Sequence, residues 1–488
     1  MAHRSSSAGG TGQGRLEALL ARVPDYPFFL TVDELFAAAR GVAAAHPEVA
    51  AYSEVGTSTD GTPIPMVTIG DGPQRIMLVA CPHPNEPIGA MLVRFLMDEL
   101  VVNGELRAGR TWYLLPCVDP DGVRLNEGWF RGPFTLRHYA RHFYRPRFEE
   151  QVEWTFPVRY KTFVFDQPLP ETRALMAAIE QARPHILYSL HNAGFGGVFY
   201  YLSHDLQAAY PELHRIPTDR GLALFQGEPE VPWARPLHPA VYAIPKSTDA
   251  YDYFEQFGVG DPAAQMMGGA SSFEYAERFG SPISLVTEVP YYQSPKIADT
   301  TPTGRTRREV VLAGLERVRE VVGLLDRLLA QTLPVMTEDS RLLRAVAAFT
   351  ASQLKMLESQ ARWAAQAEGM DQPATVAQEA DALYLGPFYR VLVASMLHRA
   401  FEHQLAHLER LPAGAPLPGP DGATLDRAQA EALIRQADGE LERHLDRWLT
   451  EVETHLPYTV IPIRNLVQVQ YGALLAVLEA VEPAGATG

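Results

Sequence analysis

Three short polar stretches, each at the carboxyl end of an apolar run, contain the residues of this sequence that could do chemistry. The first run ends in His83 and Glu86, three residues apart; the second ends in His191 and the third in Glu288. Two imidazoles and one carboxylate form a zinc-binding set that leaves a coordination position open for water, and a further carboxylate can act as general base. The pattern indicates a zinc hydrolase.

Strands and helices that alternate along the chain must bring these residues together. An entry helix is predicted within 27–47, capped by Thr31 or Asp33, and a second helix at 87–102. Strands are predicted at about 52–56, 64–70, 75–80 and 111–118. This alternation, continued to Glu288, predicts an α/β fold with a mixed, mostly parallel sheet and helices on both faces. Ligands bind beyond the carboxyl ends of such strands, where all three polar stretches would lie.

The pattern changes near residue 303, after which long amphipathic helices follow one another with no strand between them. They are predicted at about 305–333, 338–369, 375–411 and 426–456, with a final helix after a short apolar connector. An all-α helical C-terminal region, with its long helices arranged as a bundle, is therefore expected. We divide the chain into a disordered tail (1–14), a catalytic domain (15–302) and this helical region (303–488).

Composition argues against several classes of partner. Acidic residues outnumber basic ones by 58 to 42, for a net charge of −16, and no Lys/Arg block or basic stripe is present. Nucleic acid and anionic membranes are therefore poor candidates. No window reaches the roughly 18 to 20 apolar residues that span a bilayer, and the first residues lack the apolar core of a signal peptide. We expect a cytoplasmic protein.

Each candidate residue also has a structural explanation. A single histidine at a strand end is more often hydrogen-bonded than metal-bound, but the spacing of His83 and Glu86 lets both side chains point at one ion. A rival pair, His403 and His407, stands at i and i+4 in a predicted helix and could chelate zinc. It has no glutamate in the metalloprotease position and no obvious third ligand, so a packed or solvated helix face is favoured there.

Between Tyr26 and Tyr292 the sequence resembles the zinc metallocarboxypeptidases of the carboxypeptidase A type. The resemblance does not extend to the helical region. Seven motifs follow the family's order: the opening helix (29–35), a strand turn (55–61), the first zinc motif (83–90), a turn similar to Asn-Pro-Asp-Gly (119–122), the Pro-Glu-Thr helix start (170–174), the second metal histidine (191), and the end of the catalytic domain (268–271 with 287–288).

The resemblance implies one zinc ion per chain, held by His83, Glu86 and His191, with Glu288 as general base and acid. The implied mechanism is a promoted-water attack on the scissile carbonyl, in which Glu288 takes the proton of the water and later protonates the leaving amine. The same resemblance implies that Glu153 hydrogen-bonds the first metal histidine and fixes its tautomer.

An arginine downstream of the Asn-Pro-Asp-Gly turn stabilises the oxyanion in this family. Here the resemblance points to Arg131 as the catalytic arginine, with Arg124 as the alternative; either could instead be a surface residue. The segment 131–147 holds further arginines, and Arg137, Arg141 or Arg145 could bind a substrate carboxylate through a guanidinium fork. A solvated cationic helix is the competing interpretation of that segment.

Three departures from the family pattern concern the substrate. The Asn-Arg pair that grips a free C-terminal carboxylate is missing, because residues 152–157 read VEWTFP. Asn85 stands where many digestive-type members have arginine, and in this it is similar to the deacylase branch. Ala264 occupies the place of a mobile substrate-capping tyrosine, for which Tyr251 or Tyr253 could substitute.

The sequence thus favours a zinc-dependent metallocarboxypeptidase that hydrolyses a C-terminal peptide or amide bond. The alternative is an amidohydrolase or deacylase on the same scaffold, acting on an N-acyl amino acid or a related amide. A non-catalytic binding protein is disfavoured because all four candidate metal and base residues are present. The expected partners are a peptide or acyl-amino-acid substrate and, through the helical region, a second copy of the chain in a homo-oligomer; that region could instead gate the substrate.

Overall fold

The structure, a computed structural model, describes residues 9–258, 260–412, 417–418 and 424–481. The helices are α1 Gly9–Ala21, α2 Val32–Ala45, α3 Ile88–Val102, α4 Gly104–Arg107, α5 Pro120–Arg124, α6 Leu136–His142, α7 Pro170–Ala182, α8 Tyr210–Asp219, α9 Ser247–Phe257, α10 Ser272–Ala276, α11 Arg307–Thr332, α12 Arg341–Gln366, α13 Val376–Ala380, α14 Gly386–Arg410, α15 Arg427–His455 and α16 Ile463–Val481.

The strands are β1 Ala50–Thr57, β2 Pro63–Ile69, β3 Gln74–Val79, β4 Arg110–Leu115, β5 Val158–Tyr160, β6 Phe163–Phe165, β7 Ile186–Phe195, β8 Phe199–Leu202, β9 Pro236–His238, β10 Val241–Ala243, β11 Ile283–Gln293, β12 Pro302–Thr306, β13 Pro373–Thr375, β14 Leu417–Pro418, β15 Thr424–Leu425 and β16 Thr459–Val460. The first four strands and the helix that follows β3 lie where the sequence predicts them, within a few residues at each end.

One ten-stranded sheet, in the order β1-β2-β4-β3-β7-β11-β8-β10-β9 with β16 paired to β11, forms the centre of the molecule. Its middle strands β4, β3, β7 and β11 run parallel, and β1 and β2 are antiparallel to their neighbours. Strand β8 is antiparallel to β11 and parallel to β10. The predicted mixed sheet is therefore confirmed, but five of its nine strand pairings are antiparallel, so the expectation of a mostly parallel sheet holds only for its centre. The parallel strands are almost wholly buried, as expected where both faces are covered.

The entry helix α2 begins as the sequence predicts. Thr31 caps it, since its hydroxyl accepts from the Glu34 backbone while the Glu34 carboxylate accepts from the Thr31 backbone. Helix α1 lies partly inside the predicted disordered tail: residues 9–14 are helical, and residues 1–8 lie outside the described part. The helix is stabilised because Leu16 and Leu20 are buried, and α1 packs against α16.

Four long helices, α11, α12, α14 and α15, make up most of the predicted helical region, and all of them pack against α14 or α11. Each presents a buried apolar stripe, such as Val321, Leu325 and Leu328 on α11. The prediction of long helices after residue 303 is confirmed, although short two-stranded pairs, β12 with β13 and β14 with β15, also occur there.

The end of the chain returns to the sheet, which the predicted division at 302/303 does not anticipate. Strand β16 pairs with β11, and α16 packs on α3, α8 and β11. Gly472 lets α16 approach α8 closely, because a Cβ at this position would lie 2.7 Å from an atom of Ile216. The final helix thus belongs to the layers around the sheet, and among the described helices none is long and apolar enough to cross a membrane.

Candidate active site

The four principal candidate residues meet at the carboxyl edge of the parallel strands. His83 and Glu86 lie in the turn between β3 and α3, His191 lies in β7, and Glu288 lies in β11. The register of β7 and β11 places His191 directly beside Glu288. All four side chains belong to buried residues, with exposed fractions of 2 to 7%. The parallel register therefore brings together residues that are far apart in sequence.

His83, Glu86 and His191 form a group whose ligand atoms all lie within 4.8 Å of one another. Glu86 Oε2 is 3.1 Å from His191 Nδ1. His83 Nδ1 is buried and has no hydrogen-bond partner among the described residues. A buried imidazole nitrogen without a partner is costly, and a metal ion would satisfy it. Two nitrogens and a carboxylate oxygen suit zinc, so the residues present fit the metal.

Glu288 lies beside this group with its carboxylate in a strongly desolvating environment. Its Oε1 is 3.9 Å from His191 Nδ1, and its Oε2 is buried without a hydrogen-bond partner in the described part of the chain. Burial raises the pKa of Glu288 well above its ordinary value, the negative charges of Glu230 and Glu86 raise it further, and Arg145 opposes them. A carboxyl group in this position is suited to take up and return a proton.

Arg145 is the predicted arginine that reaches the metal-ligand group. Its Nη1 donates to Glu86 Oε1 at 2.6 Å and, more weakly, to Asn85 Oδ1 at 3.4 Å, while its Nε donates to Gln151 Oε1 at 3.2 Å. No hydrogen bond is formed by its Nη2 within the described residues. Only 15% of the side chain is exposed, so the guanidinium is held in place with one nitrogen available to a substrate oxygen.

The other four candidate arginines are occupied elsewhere. Arg131 donates to Glu34 Oε1 at 2.6 Å and lies over the Phe28 ring, and Arg124 donates to Asp33 Oδ1 at 2.8 Å, so both are held against α2. These contacts do not favour the predicted oxyanion role, because the acidic side chains of α2 attract both guanidinium groups.

Arg137 and Arg141, on α6, contact the helical region, Arg137 through α15 and Arg141 through α14 and α15. Arg137 bonds to Glu453, Asp446 and Thr450 of α15. Arg141 Nη1 lies 2.7 Å from His398 Nε2 and donates to Glu442 at 3.1 Å. These contacts join α6 to the helical region and occupy both guanidinium groups, so they favour neither the predicted carboxylate-binding role nor a solvated cationic helix.

Glu153 is fully buried, as a residue that positions a ligand should be, but it serves the second histidine and not the first. Its Oε1 accepts from the backbone and hydroxyl of Ser272, and its Oε2 accepts from Ser189 Oγ at 3.1 Å. Ser189 Oγ lies 3.0 Å from His191 Nε2. The predicted contact with His83 is therefore corrected: Glu153 acts through Ser189, which precedes His191 by two residues on the same face of β7.

Three residues that no sequence motif marked also interact with this site. Ser189 is one; the others are Glu230, in the loop between β8 and β9, and Tyr389, on α14. Charge interactions link Glu230 to Glu86, His191 and Glu288, and link the Tyr389 phenol to Arg145 and Glu86. Only Ser189 could have been found from the sequence, because it stands two residues before His191 in the same strand. Glu230 and Tyr389 are brought to the site by tertiary packing.

The remaining candidates lie away from this chemistry. His403 is exposed, and neither it nor His407 belongs to a potential metal-binding group of three in the described chain. Tyr251 and Tyr253 are buried, the first against Thr162 and the second against Trp233 and Phe254, so neither is placed as a mobile cap. A groove of about 430 Å³ lies at the opposite edge of the sheet, where β7 and β11 begin.

Comparison with known proteins agrees with the donor set. Residues 35–277 match the profile of the family described as zinc carboxypeptidase. No curated protein sequence matches the chain. The matched segment includes His83, Glu86 and His191, and it ends before Glu288.

Solved structures that match the chain include carboxypeptidase A from Helicoverpa armigera, with 16% identity and a TM-score of 0.36 over 58% of this chain and 72% of that one. A metallo-carboxypeptidase from Burkholderia cenocepacia has 17% identity and a TM-score of 0.33 over 54% and 60% of the two chains. Thrombin activatable fibrinolysis inhibitor has 11% identity and a TM-score of 0.34 over 56% and 73%. By the sequence match over residues 35–277, the chain belongs to the zinc carboxypeptidase family and is a zinc metallopeptidase.

Proposed function

We propose that this chain is a metallocarboxypeptidase that hydrolyses the C-terminal peptide or amide bond of its substrate, with Glu288 as general base. His83, Glu86 and His191 are the proposed metal ligands. The observation that carries the proposal is the placement of Glu288, a buried carboxyl with an unpartnered oxygen, 3.9 Å from a ligand nitrogen. A packing residue would not leave that oxygen without a partner.

Three protein ligands would leave one coordination position of a bound zinc ion open for water or substrate. When bound, zinc would polarise the scissile carbonyl and make a water molecule acidic. Glu288 would take the proton from the attacking water and return it to the leaving nitrogen, and its raised pKa matches a group that must hold a proton between the two steps. Glu153 and Ser189 would hold the His191 ring in one orientation.

Arg145 is the residue we propose to bind the reacting oxygen or a substrate carboxylate. Its ion pair with Glu86 fixes the guanidinium beside the triad, and its Nη2 makes no hydrogen bond within the described residues. A fixed donor aimed at developing negative charge costs no reorganisation during the reaction. This assignment replaces the predicted roles of Arg131 and Arg124, whose guanidinium groups are paired on α2.

An amidohydrolase or deacylase acting on an N-acyl amino acid is the second candidate. It is favoured by the sequence at 152–157, VEWTFP, which holds no counterpart of the Asn-Arg pair. Glu153 is buried and bonded to Ser272 and Ser189, and the Trp154 ring stacks on His83 with centroids 6.1 Å apart. Neither residue can bind a carboxylate by charge, so Arg145 alone would have to do so.

Hydrolysis of matched peptide pairs, differing only in a free or amidated C-terminus, tests the proposal. Zinc-loaded wild-type protein should release one residue from the free form, and Glu288→Gln should lose about 10² to 10⁴ in kcat while keeping its zinc. Glu368→Gln, which alters an exposed glutamate, is the matched control and should retain full activity. Equal cleavage of both peptides, or cleavage of N-acyl amino acids alone, would favour the second candidate. Full activity in Glu288→Gln would refute the general-base assignment.

A further inference from the structure

Glu230 is an acidic residue in the active-site cleft that the proposed mechanism does not use. The residue as a whole is exposed, and its Oε2 accepts a partly buried hydrogen bond from the Tyr201 hydroxyl at 2.9 Å. Tyr201 lies on β8, two residues from Phe199, which pairs with Glu288 of β11, and the charges of His191, Glu86 and Glu288 act on Glu230. It therefore faces the reacting centre from the loop between β8 and β9.

No lysine, arginine or histidine forms an ion pair with Glu230 in the described part of the chain. The nearby Arg145 is already paired with Glu86 at 2.6 Å. Within the cleft, desolvation raises the pKa of Glu230 and the Tyr201 hydroxyl lowers it. A cation brought next to this carboxylate would stabilise its charged form, so the two charges would favour each other. The charges of His191 and Arg145 act on Glu230 without a direct ion pair, so among the described residues its carboxylate has room for a cationic partner.

The helical region holds the loop that carries Glu230. Arg307, at the start of α11, forms a two-point ion pair with Glu228, from Nε to Oε1 at 2.8 Å and from Nη2 to Oε2 at 2.6 Å. Asp381 Oδ2, before α14, accepts from the Glu228 backbone at 3.1 Å. Gly227 is needed here, because a Cβ would lie 2.8 Å from Asp381 Cβ. These contacts fix the loop two residues before Glu230.

We propose that Glu230, positioned by Tyr201 and by the contacts of Glu228 with the helical region, is a specificity residue that selects substrates with a cationic group. The cationic group, an ammonium or guanidinium, would pair with the Glu230 carboxylate while the scissile bond lies at the metal-ligand triad. This inference rests on the proposed function and names its substrate class. It also gives the helical region a role in the cleft, beyond the oligomerisation or gating expected from sequence.

The experiment compares substrates of nearly equal shape and different charge on both sides of the scissile bond. The pairs are benzoylglycyl-arginine with benzoylglycyl-citrulline, and benzoylarginyl-leucine with benzoylcitrullyl-leucine. Wild-type zinc-loaded protein should favour the arginine member of at least one pair by about 10-fold or more in kcat/KM, because hydrogen bonds between charged groups are the strong ones. Glu230→Gln, which keeps the shape and the Tyr201 contact, should reduce that preference to about 1- to 3-fold.

The controls separate failure of this inference from failure of the proposed function. Glu368→Gln should keep the wild-type preference, and thermal melts should show that Glu230→Gln is folded. Hydrolysis of both members at equal rates by wild type, or an unchanged preference in Glu230→Gln, would overturn the specificity role while leaving the hydrolase assignment intact. Absence of hydrolysis of all four compounds, with amidated peptides also uncleaved, would count against the proposed function, and the specificity role would fall with it.

Discussion

Charged residues in the sheet layers and in the helical region differ in their burial and in the groups that contact them. Around the sheet, Glu86, Glu153 and Glu288 are at most 7% exposed. The Glu86 carboxylate accepts from a buried guanidinium and a backbone amide, and the Glu153 carboxylate accepts from a hydroxyl. In the helical region the typical charged contact is an ion pair between partly exposed side chains, such as Arg327 with Glu440 or Arg308 with Asp371.

This difference explains where chemistry can be recognised. A buried carboxylate and the groups that contact it can seldom be substituted, because losing one partner leaves a buried unpaired charge. Such residues therefore keep a fixed spacing that can be recognised in the sequence as a motif. A partly exposed ion pair contributes little and can be exchanged for another. The helical region nevertheless reaches the cleft through Arg307 and Asp381, which hold the Glu228 backbone and carboxylate. Substitutions in the helical region should therefore affect the active site measurably, but less than substitutions in the sheet layers.

The largest effect should come from removing a ligand in the sheet layers. His83→Ala is expected to purify without zinc and without hydrolytic activity, because the remaining two protein ligands hold the metal too weakly. His403→Ala, which removes one member of the rival histidine pair on α14, should retain its zinc and its hydrolytic activity. Metal content by atomic absorption is the readout. Loss of zinc from His403→Ala but not from His83→Ala would move the metal site into the helical region.

A change of pH should alter the stability that one buried carboxyl group of the sheet layers contributes. Asp119 is buried and caps α5 by accepting from the Gly122 backbone at 2.8 Å. Burial, the main cause, raises its pKa from 3.8 to about 7. Because this pKa is raised on folding, the folded chain binds the proton more tightly, so the contribution of Asp119 to stability is full below about pH 4 and is lost as the pH rises to about 7.

Asp119→Asn should therefore stabilise the protein at pH 8 and have little effect at pH 4. An amide keeps the capping oxygen without the buried charge, and the gain at pH 8 has an upper limit of roughly 4 kcal/mol from the size of the pKa change. Urea unfolding at the two pH values measures it, with the exposed Asp71→Asn as control. An equal effect at both pH values would show that the charge of Asp119 is not the cause.

Much of the sheet region could be predicted from the sequence because local patterns determine it. Apolar runs located β1 to β4, and Thr31 with Glu34 located the start of α2. The spacing of His83 and Glu86 located one half of the metal group. The domain boundaries, the metal-ligand roles and the homo-oligomer stay predictions, although the group formed by His83, Glu86 and His191 exists as expected.

The rest depended on contacts between residues far apart in sequence. Arg145 could not be told from Arg137 and Arg141, since only the packing of α6 on α15 shows which guanidinium groups are taken. Glu230 lies in a loop with no motif, and its neighbours come from β8 and the helical region. The return of α16 to the sheet layers was equally hidden, because its amphipathic pattern does not say which face of the molecule it covers.

An intermediate effect should come from Ser189, which lies between Glu153 and His191. Ser189→Ala removes both hydrogen bonds and leaves the His191 ring free to turn, so zinc affinity or kcat should fall by about 10- to 100-fold. Competition with a chelating dye measures the affinity. Ser53→Ala, which alters a hydroxyl on the outer strand β1, is the control and should bind zinc as wild type does. Unchanged affinity and kcat in Ser189→Ala would mean that packing alone orients His191.

The smallest effect should come from the helical region. Arg307→Gln removes the ion pair with Glu228, whose two side chains are 24% and 13% exposed. A partly exposed pair contributes about 1 kcal/mol or less, so the loop should shift only part of the time and the preference for arginine over citrulline should fall by about 3-fold.

Rates on the citrulline substrates should stay at the wild-type level in Arg307→Gln, because the triad and Glu288 are untouched. Arg308→Gln is the matched control: the neighbouring arginine pairs with Asp371 on the surface, so its loss should leave the preference unchanged. A drop in kcat for every substrate would instead place Arg307 among the residues that support the triad. A preference unaffected by Arg307→Gln but abolished by Glu230→Gln would show that Tyr201 and Asp381 are enough to hold the loop, and that the two regions are less coupled than their contacts indicate.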